Sequence, residues 1–326
     1  MQEKIELTLA VCAYNCERYI KDTLNSIMAQ TFQNFDLLLI NDCSTDNTLK
    51  VIERFFEMNP RQHEIINFEQ NQGIGYARHY AERYAKTKYL LFIDADDLPY
   101  PTLVEKLYNK IESDTDLMAV GCYLEYIDQH GKKIGGGQFL GEKTKEGFIE
   151  KSSKNKRIFI GISTIYNREL SLSVGGFTID GFPDGKPRYR DYCEDLDLWT
   201  RMSDLYTKGK AIVVIPEILY QYRKMVGTTS QNTFAMSLKM KYVKFNLLRR
   251  RGGEKDLAFV DFYNSLSEKE LKKLKHDSIV ADALRQGAFL LKKGHVLKGS
   301  YYILKSIVMQ PGYLWEKLKK NSGVLR

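Results

Sequence analysis

The stretch KYLLFIDADD, residues 88–97, decides the fold. Five apolar or aromatic residues in a row, Tyr89 to Ile93, are too few for a membrane span and suit a strand covered on both faces. They run straight into Asp94, Asp96 and Asp97. Working outward, IELTLAVCAY reads as a strand and ERYIKDTLNSIMAQ as a helix with Ile20, Leu24, Ile27 and Met28 on one face. FDLLLIN, LKVIERFFEM, EIINFEQ and GYARHYAERYA continue the alternation of strand and helix. Strands separated by single helices require right-handed crossovers, so the expected class is α/β, a mostly parallel central sheet flanked by helices. Ligands of such sheets sit at the carboxyl ends of strands, where DADD and DCSTDN both fall.

Beyond residue 115 the pattern changes. LMAVGCYLEYID and RIFIGISTIYN read as strands, HGKKIGGGQ as a hairpin or loop, and GGFTIDGFPDGKPRYRDY as a long loop. EDLDLWTRMSDLY places Leu198, Trp199, Met202 and Leu205 on one helical face. From about residue 232 the chain reads as helical with basic punctuation.

Asp94 and Asp96, on alternate positions, share a side of the chain and suit a hard divalent cation, Mg²⁺ or Mn²⁺, completed by water and phosphate oxygens. Equally, the cluster suits a solvated turn capping the helix PTLVEKLYNKIE. NDCSTDN has the same two readings, an ordinary turn or a site where Asp42 accepts hydrogen bonds from a base or ribose.

Four segments in their order and spacing resolve this: TLAVCAYNCERYIKDTLNSIMAQTFQNFDLLLINDCSTDNT, NQGIGYAR, YLLFIDADD and CEDLDLWTRM. Over about residues 5 to 225 the chain resembles the inverting glycosyltransferases of family 2, of the bacterial surface-polysaccharide type. The resemblance implies the GT-A (Rossmann-like) fold with Tyr14, Asn15 and Asp42 in the donor pocket and Arg78 near the nucleotide diphosphate. Asp94 and Asp96 match the DxD motif, Asp96 as the more direct metal ligand, with Asp97 supporting the loop. Asp195 takes the place of the catalytic base, with Glu194 and Asp197 beside it as acidic residues of the helix start. Many relatives carry a further metal-binding histidine after the last strand; LYQYRKMVGTTS has none, which leaves Arg223 or Lys224 as a substitute holding the diphosphate. The implied organisation is a catalytic domain over 1–230, with a nucleotide-sugar-binding half (1–115) and an acceptor-side half (116–230), then a basic helical extension over 231–326. The donor implied is a nucleotide sugar, a UDP-sugar first, and the acceptor a glycan or lipid-linked species.

The formal net charge of +8 is uneven. Residues 231–326 hold 20 Lys and Arg against 8 Asp and Glu, so the excess belongs to the tail. That favours an anionic partner, with an anionic membrane face preferred over nucleic acid. The tail stretch FAMSLKMKYVKFNLLRRRGG shows two apolar stripes, Phe234, Leu238, Tyr242, Phe245 and Leu248 on one side and Met236, Met240, Val243 and Leu247 on the other. A helix of that kind needs two partners. Leu297, Tyr301, Leu304 and Val308 form a further stripe, suited to covering it or to meeting lipid, and an oligomer would serve as well. Arg188 and Arg190 either face an anionic acceptor or are solvated, and Arg249 to Arg251 divide likewise between a ligand site and a charged helix end. Five cysteines without a CxxC pair argue against a disulfide framework or zinc site. The N-terminus lacks the layout of a signal peptide, so the expected place is the cytoplasm or the inner face of its membrane. Two other readings compete: a nucleotidyltransferase, which wants a Gly-rich first turn where CAYNCERY stands, and a non-catalytic nucleotide- or nucleic-acid-binding module, which has no need of both DADD and CEDLDLW.

Overall fold

The computed structural model describes residues 4–161, 163–182, 188–224, 232–292 and 294–313, Lys292 by its backbone alone. β1 (Leu7–Ala13), α1 (Ile20–Met28), β2 (Asp36–Asn41), α2 (Thr48–Met58), β3 (Glu64–Asn67), α3 (Ile74–Tyr84) and β4 (Tyr89–Asp94) alternate as the sequence reads. β1 lies between β2 and β4, and β3 pairs outside β2; all of these pairings are parallel. Register sets Cys12 opposite Ile40 and Asp94, so the ends of the three strands line up along one edge. Leu7, Leu9, Ala10 and Val11 are fully buried, as expected where helices cover both faces.

The sheet continues through β5 (Leu98–Pro99), α4 (Leu103–Glu112), β6 (Leu117–Ile127), β7 (Lys133–Gln138), α5 (Lys145–Ser153), β8 (Ile165–Asn167), α6 (Arg168–Ser173), α7 (Glu194–Met202) and β9 (Ala211–Arg223). Strand order is β3-β2-β1-β4-β8-β6-β9-β5, with β7 paired to β6 as a hairpin. The short β8 runs antiparallel to both β4 and β6, while β6 and β9 are parallel, so the carboxyl ends of β4, β6 and β9 lie at the same edge.

One local reading needs correction, and one helix was not anticipated. RIFIGISTIYN is a strand only over Ile165–Asn167. Its earlier part buries Ile158 and Ile160 while running along α7, the Ile158 amide donating to Thr200 Oγ1 at 3.3 Å, so side-chain burial is met without strand pairing. The helix α5 has little apolar contrast, burying only Phe148 and Ser152, and starts because Thr144 accepts from the Gly147 amide at 3.1 Å.

The chain divides into two compact units, Met1–Thr228 with Val243–Asp256, and Thr229–Tyr242 with Leu257–Arg326. The helix α8 (Thr233–Arg251) contributes to both. Its two expected stripes merge: Ala235, Leu238, Lys239, Tyr242, Val243, Asn246 and Leu247 are buried at three- and four-residue spacing, a single broad face, and Leu248 is exposed. In the first unit Arg250 and Arg251 bind Asp204 and Arg249 binds Glu254, so the three arginines form a charged helix end. In the second unit lie α9 (Phe259–Asn264), α10 (Glu268–Lys292) and α11 (Val296–Met309). α10 and α11 approach closely at two glycines: a Cβ on Gly287 would meet Ile303 and the Gly299 carbonyl at 2.9 Å, and one on Gly299 would meet Leu291. The stripe Leu297, Tyr301, Leu304 and Val308 does not cover α8 but is exposed, Leu297 at 88%. Among the described residues no helix is long and apolar enough to cross a membrane.

Candidate active site

The carboxylates that end β4 meet those that begin α7 through one arginine. Arg78, on α3, is buried, and its guanidinium donates to Asp94 Oδ1 at 2.8 Å and to Glu194 Oε1. Burial works against its charge, but Asp94, Glu194 and Asp195 outweigh burial and hold it protonated. Segments a hundred residues apart in sequence thereby share one cation. Burial pushes the Glu194 and Asp195 carboxyls up and Arg78 restrains both; Asp195 adds to the rise of Glu194 and Asp94 to that of Asp195. Asp195 Oδ1 accepts from the Leu196 amide at 2.7 Å. Glu194 is occupied by Arg78, and Asp197 by Arg201, whose Nε and Nη2 lie 3.0 and 2.8 Å from Asp197 Oδ2. Of the three acids at this helix start, Glu194 and Asp197 are in ion pairs with arginines, while Asp195 is bonded to the Leu196 amide.

Asp96 and Asp97 differ sharply. Asp97 is fully buried, its Oδ1 accepting from the Arg223 amide at 2.7 Å, and burial together with Asp94 and Asp96 drives its carboxyl well above the usual range. Asp96 is only partly covered; burial and then Asp94 push it up to about 7. Arg223 is buried as well, donating from Nε to the Asp96 carbonyl at 2.7 Å and from Nη1 to the Asp128 carbonyl at 3.0 Å, with its cation 4.7 Å from the Tyr19 ring centre. It staples the carboxylate loop to β9. Lys224 lies over the rings of Tyr126 and Tyr222.

Asp94 and Asp96 are therefore two hard oxygen donors in a region where Arg78 bonds Asp94 and Glu194 and the Arg223 amide bonds Asp97. Among the described residues no three or more His, Cys, Asp or Glu side chains cluster as a metal site. A cation held here would take at most these two carboxylates and complete its shell with water and phosphate oxygens, which is how Mg²⁺ and Mn²⁺ are commonly bound. The residues fit such an ion.

The remaining residues expected in a donor pocket line the same edge. Asn15 adopts φ 48°, accepts at Oδ1 from the Thr45 amide at 2.8 Å, and donates its own amide to Ser44 Oγ at 3.1 Å, which ties the loop after β1 to the loop after β2. Tyr14 beside it is exposed. Asp42 is buried and accepts from the Gln72 and Gly73 amides at 2.6 and 2.8 Å and from Asn71 Nδ2 at 2.8 Å; burial still raises its carboxyl against those bonds. Asp191 was not singled out from sequence, yet it accepts from the Gly75 amide at 3.0 Å and pairs with Arg188. The signal was indirect: a Cβ on Gly73, at φ 89°, would strike the Asp191 carboxylate, so that glycine marks a close approach. Arg188 also donates to Asn71 O and Oδ1 at 2.9 and 2.7 Å, and Arg190 to the Gln72 carbonyl at 2.7 Å while lying over Tyr76. Both are spent on holding the loop to α3.

The sequence profile of Glycosyl transferase family 2 matches residues 8–175. The chain belongs to this family. A putative teichuronic acid biosynthesis glycosyltransferase, TuaG of Bacillus subtilis, is 33% identical over 262 residues, covering 79% of this chain and 95% of the relative. An uncharacterized glycosyltransferase of Haemophilus influenzae is 28% identical over 248 residues, covering 74% of each. Among solved structures, S. aureus TarS 1-349 in complex with UDP-GlcNAc superposes with TM-score 0.56, at 18% identity, over 95% of this chain and 92% of that one. The mannosyltransferase PcManGT of Pyrobaculum calidifontis, in complex with GDP-Man and Mn²⁺, gives 0.55 at 18% identity over 97% and 89%. The GT-A fold and the assignment as a glycosyltransferase follow.

Proposed function

We propose that the protein transfers a sugar from a UDP-sugar, with inversion, to a glycan or lipid-linked acceptor in surface polysaccharide synthesis. The observation that carries this reading is the Arg78 bridge, which joins Asp94 at the end of β4 to Glu194 at the start of α7. A divalent cation bound by Asp94 and Asp96 would neutralise the departing diphosphate. Asn15 and Asp42 order the loops that receive the nucleoside, and Tyr14 offers an exposed ring for its base. Arg78 holds Asp94 and Glu194 at fixed separation and keeps α7 in register with β4.

Asp195 accepts the proton of the acceptor hydroxyl as its oxygen bonds to the anomeric carbon; the bond from that carbon to the diphosphate oxygen breaks on the opposite face, and the diphosphate leaves with the electron pair. A carboxylate is a weak base toward an alcohol, so proton transfer accompanies bond formation and positioning supplies much of the acceleration. The TuaG likeness supports a cell-envelope glycan as product, and UDP-GlcNAc bound to TarS supports a UDP-sugar. The basic tail places the enzyme on an anionic inner membrane face.

The test is release of UDP from a panel of UDP-sugars with Mn²⁺, Mg²⁺ or EDTA and an added glycan acceptor. Acceptor- and metal-dependent release with an inverted product anomer is expected. Retention of configuration, or full activity in EDTA, would overturn the mechanism.

A further inference from the structure

The sequence offered Arg188 and Arg190 as partners of an anionic acceptor, and both are bonded internally. A different basic site exists. A cavity of ≈ 650 Å³ in the first unit is lined by Lys151, Lys154, Lys156, Arg157 and Lys244, with Glu142 and Glu150 opposing them and Phe159 as its aromatic wall. Lys151 is paired with Glu142 at 2.8 Å and Lys154 with Glu150, so the two carboxylates are taken. Lys244 donates to the carbonyl of Asn155, a residue held in the left-handed region at φ 54°, where the chain turns into Lys156 and Arg157. Arg157 lies over Phe159, 5.4 Å from its ring centre. Burial, then Arg157, Lys156 and Arg251, push the Lys244 ammonium down. Cations gathered in one concavity at the cost of mutual repulsion point to a bound anion.

The position is informative. The segment carrying Arg157 runs along α7, the Ile158 amide bonded to Thr200, and Cys193, two residues before Asp195, lies near enough to act electrostatically on Arg157. We propose that the cavity formed by Lys156, Arg157, Lys244 and Phe159 binds a phosphate or diphosphate group of the acceptor, holding the chain whose hydroxyl is presented to Asp195. This rests on the transferase reading above and adds the acceptor's chemical class to it.

The test uses the full chain and inorganic pyrophosphate in EDTA, followed by calorimetry, with UDP plus Mn²⁺ titrated into the same preparations. Replacing Lys156 and Lys244 together by Gln should weaken pyrophosphate binding by about tenfold or more, since each charge-assisted hydrogen bond lost is worth roughly that factor. UDP binding with Mn²⁺ should be unchanged, which also reports that the fold is intact. Lys156 is exposed, so Lys156→Gln alone is the variant safest for folding and should show a smaller loss in the same direction. Lys208→Gln, an exposed lysine elsewhere, controls for net charge and should show none. A second arm measures sedimentation with phosphatidylcholine vesicles, plain or doped with phosphatidic acid. Loss of binding in the variants for the doped vesicles alone assigns the phosphate to a lipid, and loss for pyrophosphate alone to a soluble phosphate chain. Equal binding by wild type and variants in both arms, or full competition of pyrophosphate by UDP in EDTA, overturns the site. Failure of UDP binding in the wild type would instead strike the transferase reading.

Discussion

At the strand ends, five carboxylates, Asp94, Asp96, Asp97, Glu194 and Asp195, lie about the buried Arg78 and Arg223, Arg78 bonding Asp94 and Glu194 and the Arg223 amide bonding Asp97; in the cavity beside α5, five cations outnumber Glu142 and Glu150. The two regions err in opposite directions. At the first, the arginines bind protein groups, and burial, with neighbouring acids adding to it, displaces the carboxyls upward. At the second, burial and then neighbouring cations displace the Lys244 ammonium downward. In each case burial and like charge together favour the neutral form, and a ligand of opposite sign would reverse it. The difference lies in rigidity. Buried arginines lock the acidic region, as chemistry at fixed distances requires, whereas long lysines border the basic one, as a site for a variable polymer allows.

The largest effect should come from Asp195→Asn, which keeps shape and removes the proposed base. Turnover should fall by roughly the 10²- to 10⁴-fold that a general base contributes, with donor affinity unchanged. Steady-state rates beside UDP titration would check this, and a parallel loss of both would make Asp195 a binding residue.

Arg78→Met attacks the lock itself. It leaves Asp94, Glu194 and Asp195 crowded without their cation, and breaking a buried pair from one side costs about 3–5 kcal/mol. Urea denaturation should show that loss, and adding Glu194→Gln should return part of it, because one stranded charge is then gone. Equal stability of wild type and Arg78→Met would mean the bridge is not a structural element.

Asp96→Asn sharpens the contrast through pH. The folded-state carboxyl, raised to about 7, lies above its unfolded value. Its contribution to stability is therefore complete below the unfolded value and is lost as pH rises through about 7. Without metal, the melting temperature of the wild type should fall more than that of Asp96→Asn between pH 5 and 8. Mn²⁺ should stabilise the wild type increasingly over that window and the variant hardly at all. A Mn²⁺ shift of the same size in both would remove Asp96 from the metal site.

Much of this was legible beforehand because parallel strands announce themselves. YLLFI and LTLAV need no partner to be recognised as buried, and the acids after them fall where such sheets bind ligands. The family pattern in CEDLDLW pointed to the start of α7. What sequence could not convey was which cation serves which acid: the resemblance put Arg78 near the diphosphate, but its bonds to both Asp94 and Glu194 emerge only when α3, β4 and α7 are packed together. Asp191 was invisible for the same reason, and only Gly73 hinted at its approach. RIFIGIS misled because apolar residues in a loop that packs on a helix look like those in a strand. The Lys156–Lys244 pairing joins residues 88 positions apart with no periodicity to connect them.

The smallest effect on the fold, and the clearest test of the tail, concerns α11. Leu297, Tyr301, Leu304 and Val308 are 88%, 62%, 63% and 75% exposed, at spacings of four, three and four residues, and so form one apolar stripe that the described residues leave uncovered. The tail around it is strongly basic, with 20 Lys and Arg against 8 acids. An apolar stripe within basic surroundings is what an anionic bilayer favours, each lysine or arginine near the surface contributing about 1 kcal/mol. Leu297→Gln with Leu304→Gln should leave stability within about 0.5 kcal/mol, because neither side chain is packed. The same pair should release the protein from anionic vesicles at low salt. High salt alone should weaken the wild type without abolishing its binding, since screening removes the charge attraction and leaves the apolar one. If the double variant sediments like the wild type, the stripe does not meet lipid; if it also changes the elution volume of the free protein, the stripe is an interface between copies of the chain.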